Sequence, residues 1–386
     1  MWEVKPGPVR KRLPRLEEHG MKQTRPNRCG RTGLRLFACF FLFWLVVGTA
    51  IGATLLDDRV IHVRSRSDVR EKRRELIAYL WGSEGFPERR MPERVQKDVT
   101  PPVRFLSGLA RVDEIWIRLA PGLEGLAYHF IPAAPNGHLV VVHHGHGCTM
   151  DDNPGPGDSG YGFQRTIQAL LTSGYGVAGV FMPRMRPGDC TGGHDALCQL
   201  KTQGSPIKFF VEPTAVVLNY LQRRARSDGF PHYRRFHMVG LSGGGWTTTL
   251  YAALDTRIER SISVAGTMPL YLRSGGSVGD REQYEPSLYE RAGYMDLYIL
   301  GACDRGRSQV QVLVRRDDCC FGEAQHDPGR AGATYEEAVR EYEERVCLAL
   351  VKLGKAAFDV IIDETAPGHT ISQYTIHQVI LPALRE

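Results

Sequence analysis

The sequence has little of what a nucleic-acid-binding protein needs, although its formal net charge is +6. The first 35 residues hold ten Lys or Arg and three Glu, a net charge of +7, so residues 36–386 together carry −1. A protein that binds nucleic acid presents a basic surface to the phosphate backbone. Because the main part of the chain is nearly neutral, we expect no nucleic-acid partner.

Internal repeats and low-complexity segments are also absent, which excludes solenoids and fibrous arrays. The 386 residues are 42% hydrophobic and 24% charged, which is the composition of an ordinary globular protein. This length suits one large domain with additions, or two domains. The sequence gives no indication of oligomeric state.

One segment lacks charge entirely: residues 36–56, LFACFFLFWLVVGTAIGATLL. About 20 apolar residues cross a bilayer. The basic residues before the segment, with Asp57 and Asp58 after it, predict a cytoplasmic amino terminus and a main domain on the other side. We therefore expect a basic cytoplasmic tail at residues 1–35 and a transmembrane signal anchor at residues 36–56. A cleaved signal peptide, which would make the protein secreted, remains the alternative, since the small residues 48–50 suit a processing site; Met21 is an alternative start.

Seven of the nine cysteines follow residue 56, where export would permit disulfides. Cys190 and Cys198 bracket a glycine-rich loop and form the best candidate pair. The adjacent Cys319 and Cys320 are not expected to bridge each other easily. An odd total leaves at least one thiol unpaired or pairs it between chains.

Residues 57–113 are charged and interrupted by proline, which indicates a stalk and an amino-terminal extension packed on a main domain at residues 114–386. Two strand patterns begin this domain without a helix between them, and strands then alternate with helices. This order predicts an α/β fold with a mostly parallel sheet and helices on both faces. The expected strands are EIWIRLA, LAYHFIP, HLVVVHH, YGVAGVFMP, FHMVGLS, SISVAG, VQVLVRR and FDVIIDE. The expected helices lie at 162–173, 208–226, 244–254, 335–353 and 373–384.

A tyrosine-rich insertion at residues 267–308 interrupts the alternation. Insertions of this size in α/β proteins often cover a binding site. We therefore expect residues 267–308 to form a cap-like element, and ordinary packing of its tyrosines is the alternative.

The segment HMVGLSGGGWTTTL, residues 237–250, places Ser242 between a buried strand and a helix. Gly240, Ser242 and Gly244 fit the G-x-S-x-G nucleophile elbow, a sharp turn that exposes a serine hydroxyl at the sheet edge. The pattern predicts that Ser242 is a nucleophile. A glycine-rich turn with an inert serine is the alternative.

A serine nucleophile needs a base to take its proton and a carboxylate to orient that base. His369 follows the last expected strand through a Pro-Gly turn and is the candidate base, ahead of His326 and His377. Asp317 follows the strand VQVLV and is the candidate acid, because it lies nearer the strand end than Asp318, the alternative acid.

Acyl transfer also needs two backbone N–H donors for the developing oxyanion. The amide of Gly243, the residue after the nucleophile, is one candidate. The amide of His146, in the loop after HLVVVHH, is the other, because Gly145 and Gly147 would let the backbone approach a substrate closely.

Together, the elbow GLSGGGW, the HGHG loop at residues 144–147, the strand-end Asp317 and the late Gly368-His369 resemble an α/β-hydrolase-fold serine hydrolase. Within that superfamily the elbow is similar to those of dienelactone-hydrolase-like and acetyl-xylan-esterase-like members. The likeness covers about residues 114–386. It implies a Ser-His-Asp ester or amide hydrolase with an acyl-enzyme intermediate and no cofactor, and we expect the substrate to be a small-molecule carboxylic ester. The membrane segment and the long region before the domain depart from the family pattern.

Three other functions remain open. A peptidase or amidase would use the same triad. A metal-dependent hydrolase would use His144 and His146 with Asp151 and Asp152, and with His143 and His194-Asp195 as additions, although the spacing is not a tight metal motif and we expect no metal. A catalytically inactive domain of this fold would serve as an interaction module.

Overall fold

The computed structural model describes residues 58–103, 106–147, 150, 161–183, 194–274, 279–354 and 357–385. The predicted basic tail and the predicted transmembrane segment at 36–56 lie outside these ranges. So do Cys190, half of the predicted disulfide, and both Asp151 and Asp152 of the metal hypothesis. Over the described ranges, no helix combines the length and the apolar character needed to cross a membrane.

A nine-stranded sheet forms the centre of the described part of the chain, with the strand order β1-β2-β3-β5-β4-β6-β7-β8-β9. The strands are β1 Arg94–Gln96, β2 Leu109–Ala120, β3 Leu123–Pro132, β4 His138–His143, β5 Gly176–Val180, β6 Arg235–Leu241, β7 Ile258–Val264, β8 Ser308–Val314 and β9 Phe358–Asp363. All eight expected strands are present. Three neighbouring pairs are antiparallel: β1–β2, β2–β3 and β3–β5. The remaining neighbours, from β5 through β4 and β6 to β9, pair in parallel. The expectation of a mostly parallel α/β sheet is confirmed.

Helices cover both faces of the sheet. They are α1 Arg66–Trp81, α2 Phe163–Thr172, α3 His194–Cys198, α4 Lys208–Arg223, α5 Ala225–Asp228, α6 Gly243–Leu254, α7 Pro286–Tyr289, α8 Tyr294–Ala302, α9 Pro328–Ala331, α10 Tyr335–Lys352 and α11 Leu381–Arg385, the last preceded by a π-helix at Thr375–Ile380. Alternate residues of β4 enter two separate cores: Leu139 and Val141 join one, and Val140 and Val142 the other. Since successive side chains of a strand point to opposite faces, each core lies on one face of the sheet.

The segment before residue 114 belongs to this unit. Strand β2 begins at Leu109, and β1 adds a short edge strand, so the sheet starts earlier than the expected boundary. Helix α1 begins with a capping box in which Ser65 and Asp68 satisfy each other's backbone amides. The buried Asp296 carboxylate accepts from the amides of His62 and Val63 at 2.8 and 3.0 Å, which ties the extension to α8.

The tyrosine-rich insertion at residues 267–308 is mostly a packing element. Tyr289, Tyr294 and Tyr298 are buried, and the Tyr289 hydroxyl accepts a 2.7 Å hydrogen bond from the Trp246 indole of α6. Its stretch at residues 279–284, with Asp280 and the half-buried Tyr284, lines a surface cavity, and residues 304–307 line another. The described part of the insertion therefore packs its tyrosines into the core and presents short polar stretches to solvent.

Candidate active site

Ser242 lies between β6 and α6 with φ 60° and ψ −131°. A positive φ is rare for a residue with a side chain, and such conformations cost on the order of 1–3 kcal/mol. Ser242 is 9% exposed, so the strained turn holds a hydroxyl at the carboxyl end of a central strand. The sharp strand-to-helix turn expected from the sequence is present.

Two glycines permit this turn because backbone segments touch them. A Cβ atom on Gly240 would lie 2.1 Å from the Gly244 carbonyl oxygen, and one on Gly244 would lie 2.1 Å from the His143 carbonyl oxygen. Neither neighbour is a flexible side chain that moves aside. Close approach, rather than backbone torsion, therefore explains glycine at both positions of the elbow.

Asp317 and His369 form a buried pair. Asp317 follows β8, His369 follows β9, and the imidazole Nδ1 lies 2.6 Å from Asp317 Oδ2. The other carboxylate oxygen, Oδ1, accepts hydrogen bonds from the backbone amides of Cys319 and Cys320, each at 2.9 Å. Asp317 is 1% exposed, whereas Asp318 is exposed. The structure thus brings His369 together with the first of the two aspartates.

The charge of Asp317 governs the protonation of His369. Burial lowers the pKa of the imidazole, but the hydrogen bond and the negative charge of Asp317 outweigh burial and raise that pKa above its ordinary value. Nδ1 is paired with the carboxylate, and the imidazole also lines the cavity beside Ser242.

Ser242 and His369 line one small cavity of about 110 Å³, together with Gly145, Tyr161 and Cys319. The Tyr161 ring packs edge-on against the imidazole at 5.9 Å between ring centroids. The Ser242 hydroxyl contacts Cys320 Sγ at 3.8 Å. The parallel strands β6, β8 and β9 therefore deliver a serine, a carboxylate and an imidazole to one edge of the sheet.

The loop after β4 passes directly against the elbow. A Cβ atom on Gly145 would lie 2.9 Å from Ser242 Cβ and 3.1 Å from the Gly243 amide nitrogen. The neighbouring His144 ring stacks on Phe163 at 4.0 Å, which fixes the start of the loop. The candidate oxyanion donors, the amides of Gly243 and His146, thus belong to two backbone segments in contact.

A second polar cluster lies beside this loop, in a cavity of about 290 Å³. The His146 and His194 rings stack at 4.3 Å, and Asp280 Oδ2 lies 3.4 Å from His146 Nε2. The buried Glu282 lies 2.8 Å from His194 Nδ1. Burial lowers the pKa of His146. Burial also acts to lower the pKa of His194, but the negative charges of Glu282 and Asp280 outweigh it and raise that pKa.

Two groups of described residues have side chains that would suit a metal ion. One contains His146, His194 and Asp280, and the other contains Asp317, Cys319, Cys320 and His369. The metal hypothesis from the sequence paired His146 with His144, but the structure packs His144 between aromatic rings instead. Burial lowers the pKa of His143 to about 4.

The competing histidines lie elsewhere. The His326 ring Nε2 bonds the Ala333 carbonyl at 3.0 Å, and His377 is exposed on the π-helix.

The larger cavities, of about 390 and 730 Å³, share Arg257 and lie toward the amino ends of the strands, away from Ser242. They share no lining residue with the cavity at Ser242.

Sequence reasoning missed several residues at this edge. It gave no role to Tyr161, Cys319, Cys320 or Asp280, because packing rather than sequence order brings them there. The one local signal for the two cysteines was their position directly after Asp317 and Asp318, at the end of a strand.

No protein-family model matches the sequence, and neither does any curated protein. Solved structures do match. A glucuronoyl esterase from Solibacter usitatus aligns with 14% identity and a TM-score of 0.52 over 86% of this chain and 97% of that one. Acetyl xylan esterase 1 from Thermoanaerobacterium sp. aligns with 12% identity and a TM-score of 0.49 over 83% and 94%. A methylesterase aligns with 15% identity and a TM-score of 0.49 over 81% of this chain, which spans 61% of that protein's length.

The first of these matches and the observed strand order agree on the architecture. Three antiparallel strands, β1 to β3, stand at one side of an otherwise parallel sheet, and the serine turn follows a central parallel strand. The chain has the α/β-hydrolase fold that its motifs resembled.

Proposed function

We propose that this protein is a serine hydrolase that cleaves a carboxylic ester through Ser242, His369 and Asp317. The observation that carries the proposal is the common cavity: a strained, nearly buried serine and an imidazole held at 2.6 Å from a buried carboxylate line the same 110 Å³ space. A structural serine would need neither the backbone strain nor the ordered imidazole.

In the proposed reaction, His369 Nε2 takes the proton of the Ser242 hydroxyl as Oγ attacks the ester carbonyl. In this structure the hydroxyl contacts Cys320 Sγ at 3.8 Å, and in the proposed reaction it gives up this contact for the imidazole. Catalytic hydrogen bonds often shorten only when substrate binds. Asp317 holds the ring orientation and stabilises the imidazolium.

The tetrahedral intermediate carries a negative charge on the former carbonyl oxygen. We assign its stabilisation to the amides of Gly243 and His146, because Gly145 brings the two segments into contact. His369 then protonates the leaving alcohol, and an acyl group remains on Oγ. Water repeats the sequence and releases the acid.

An ester is the proposed substrate because the solved structure that aligns with a TM-score of 0.52 is named a glucuronoyl esterase. The same arrangement of groups can cleave an amide, so a peptidase or amidase is the second candidate. No cofactor enters the proposed reaction. The small cavity favours a small acyl group at the serine.

The test compares wild type with Ser242→Ala. Wild type should hydrolyse p-nitrophenyl acetate and bind a fluorophosphonate covalently, whereas Ser242→Ala should do neither and keep its circular dichroism spectrum. Ser227→Ala, at an exposed serine of α5, is the matched control and should behave as wild type. Turnover by Ser242→Ala near the wild-type rate would refute the proposal, and p-nitroanilide substrates cleaved faster than esters would favour the amidase.

We also propose that residues 36–56 anchor the chain in a membrane, with the catalytic domain on the extracytoplasmic side. The support is the absence of charge from these 21 residues and the basic residues before them. Protease added to intact cells should remove the domain from the full chain. Recovery of a shortened, freely secreted form would show cleavage instead, and full protection in intact cells with release on lysis would refute export.

A further inference from the structure

Two thiols stand next to each other at the edge of the candidate active site. Cys319 Sγ and Cys320 Sγ lie 2.7 Å apart, and neither is in a disulfide. Neighbouring residues were not expected to bridge easily, but the turn after β8 points both side chains the same way. Cys319 is exposed and Cys320 partly exposed, so a dissolved oxidant reaches the pair.

This pair belongs to the same turn as the candidate acid. The amides of Cys319 and Cys320 both donate to Asp317 Oδ1 at 2.9 Å. Cys320 Sγ lies 3.8 Å from Ser242 Oγ, and Cys319 lines the cavity shared by Ser242 and His369. Any change in the backbone of these two residues therefore reaches both the acid and the nucleophile.

We propose that Cys319 and Cys320 form a reversible disulfide with each other, and that closing this bond lowers the activity of the site. The loss of activity rests on the proposed function, whereas the bond itself does not. The modification would make the serine hydrolase responsive to the thiol–disulfide balance around it.

The two thiols have different parts in the chemistry. Cys319 is exposed and Cys320 only partly exposed, so the Cys319 thiol meets a dissolved disulfide first and reacts as its thiolate. The Cys319 thiolate attacks one sulfur of a small disulfide such as oxidised glutathione, and one glutathione thiolate leaves. Cys320 then loses its proton and attacks Cys319 Sγ, the mixed disulfide breaks, and the second glutathione thiolate leaves. Two protein thiols are oxidised and one small disulfide is reduced to two thiols.

The closed ring cannot keep the present backbone. Cα atoms of adjacent residues joined by a trans peptide are about 3.8 Å apart, whereas those of most disulfides are about 4.4–6.8 Å apart. Closing the ring therefore twists the Cys319–Cys320 peptide and disturbs the two amides that hold Asp317. A bond strained in this way is also more easily reduced, which makes the modification reversible.

The experiment uses the full chain with oxidised glutathione and a chelator. The chelator is needed because Asp317, both thiols and His369 lie close enough together to hold a contaminating metal ion. Intact mass should fall by the two hydrogens lost, and non-reduced peptide mapping should place the bond between Cys319 and Cys320. The kcat for p-nitrophenyl acetate should fall at least about tenfold and return with a reductant.

Cys319→Ser and Cys320→Ser should lose this response, which is read as the ratio of oxidised to reduced activity in each variant. Cys347→Ser is the matched control at a distant free cysteine on α10 and should respond as wild type. A bond from either cysteine to any other residue, or no mass change in wild type, would overturn the proposal. So would a mapped Cys319–Cys320 bond with unchanged kcat. Since mass and mapping need no turnover, they report on the bond even in a protein that fails to hydrolyse esters.

Discussion

The imidazole of His369 and the carboxylate of Asp317 meet at 2.6 Å although 52 positions separate them in the sequence. The contact exists because β8 and β9 are parallel neighbours whose carboxyl ends open at the same edge. Asp363, the last residue of β9, stabilises the following loop through hydrogen bonds to Thr365 and Ser372. The relationship therefore depends on two strand ends and one ordered loop.

The two adjacent aspartates should differ sharply in their effect on activity. Asp317→Asn removes the charge that orients and stabilises the imidazolium, and kcat should fall on the order of 10³- to 10⁴-fold. Asp318→Asn changes an exposed side chain and should stay within a few-fold of wild type. Initial rates with p-nitrophenyl acetate measure both. A larger loss in Asp318→Asn would transfer the role of acid to that residue.

The pH profile should report the raised pKa of His369. General-base catalysis needs the neutral imidazole, so kcat/KM should rise with pH through a pKa above that of an ordinary histidine. Without the charge of Asp317, burial alone would lower the pKa. The residual activity of Asp317→Asn should therefore appear at lower pH than that of wild type, and Asp318→Asn should shift the profile much less, because its charge is the smallest of the contributions that raise this pKa. If the acidic limb of the kcat/KM profile lies at the same pH in Asp317→Asn as in wild type, the charge of Asp317 does not set the pKa of His369.

Gly145→Ala tests the contact between the loop after β4 and the elbow. The added Cβ would lie 2.9 Å from Ser242 Cβ, so the loop must move and its amide donor moves with it. Loss of one oxyanion donor costs about 10²- to 10³-fold in kcat, and we expect a loss of that order. Gly329→Ala, whose Cβ would meet only the Asp327 side chain, is the control and should leave kcat unchanged. Wild-type turnover by Gly145→Ala would remove the loop from the reaction.

Leu76→Ala tests whether the extension is part of the folded domain. Leu76 of α1 is 0% exposed and belongs to the core on one face of the sheet. Truncation of such a residue costs about 2–5 kcal/mol of unfolding free energy. Leu348→Ala, at a leucine that is 62% exposed, is the matched control and should cost less than about 0.5 kcal/mol. Urea denaturation measures both, and equal small effects would mean that α1 is a dispensable attachment.

The sequence was a good guide to the elements of the fold. Apolar runs such as HLVVVH of β4 predict buried strands because both faces of that strand are covered. It was a weaker guide to boundaries: β1 and β2 begin within the charged region that the sequence suggested was an extension. Charge and proline content predict exposure, but an antiparallel edge strand tolerates both.

For the site, sequence order alone indicated Ser242, an aspartate after β8 and His369. The turn glycines and the strand ends are local features, which the order of residues shows directly. The preference for Asp317 over Asp318 had only one cue, its position nearer the strand end, because the direction of each side chain is not a local feature of the sequence.

The amino-acid sequence by itself determined where strands, helices and the serine turn form, since hydrophobic period and glycine placement act over a few residues. Tertiary structure decided the rest: which carboxylate faces the imidazole, how His146 meets His194 and Asp280, and that two neighbouring thiols lie against the nucleophile. These relationships join distant segments, and only the packing of the sheet and its loops sets the distances between their side chains.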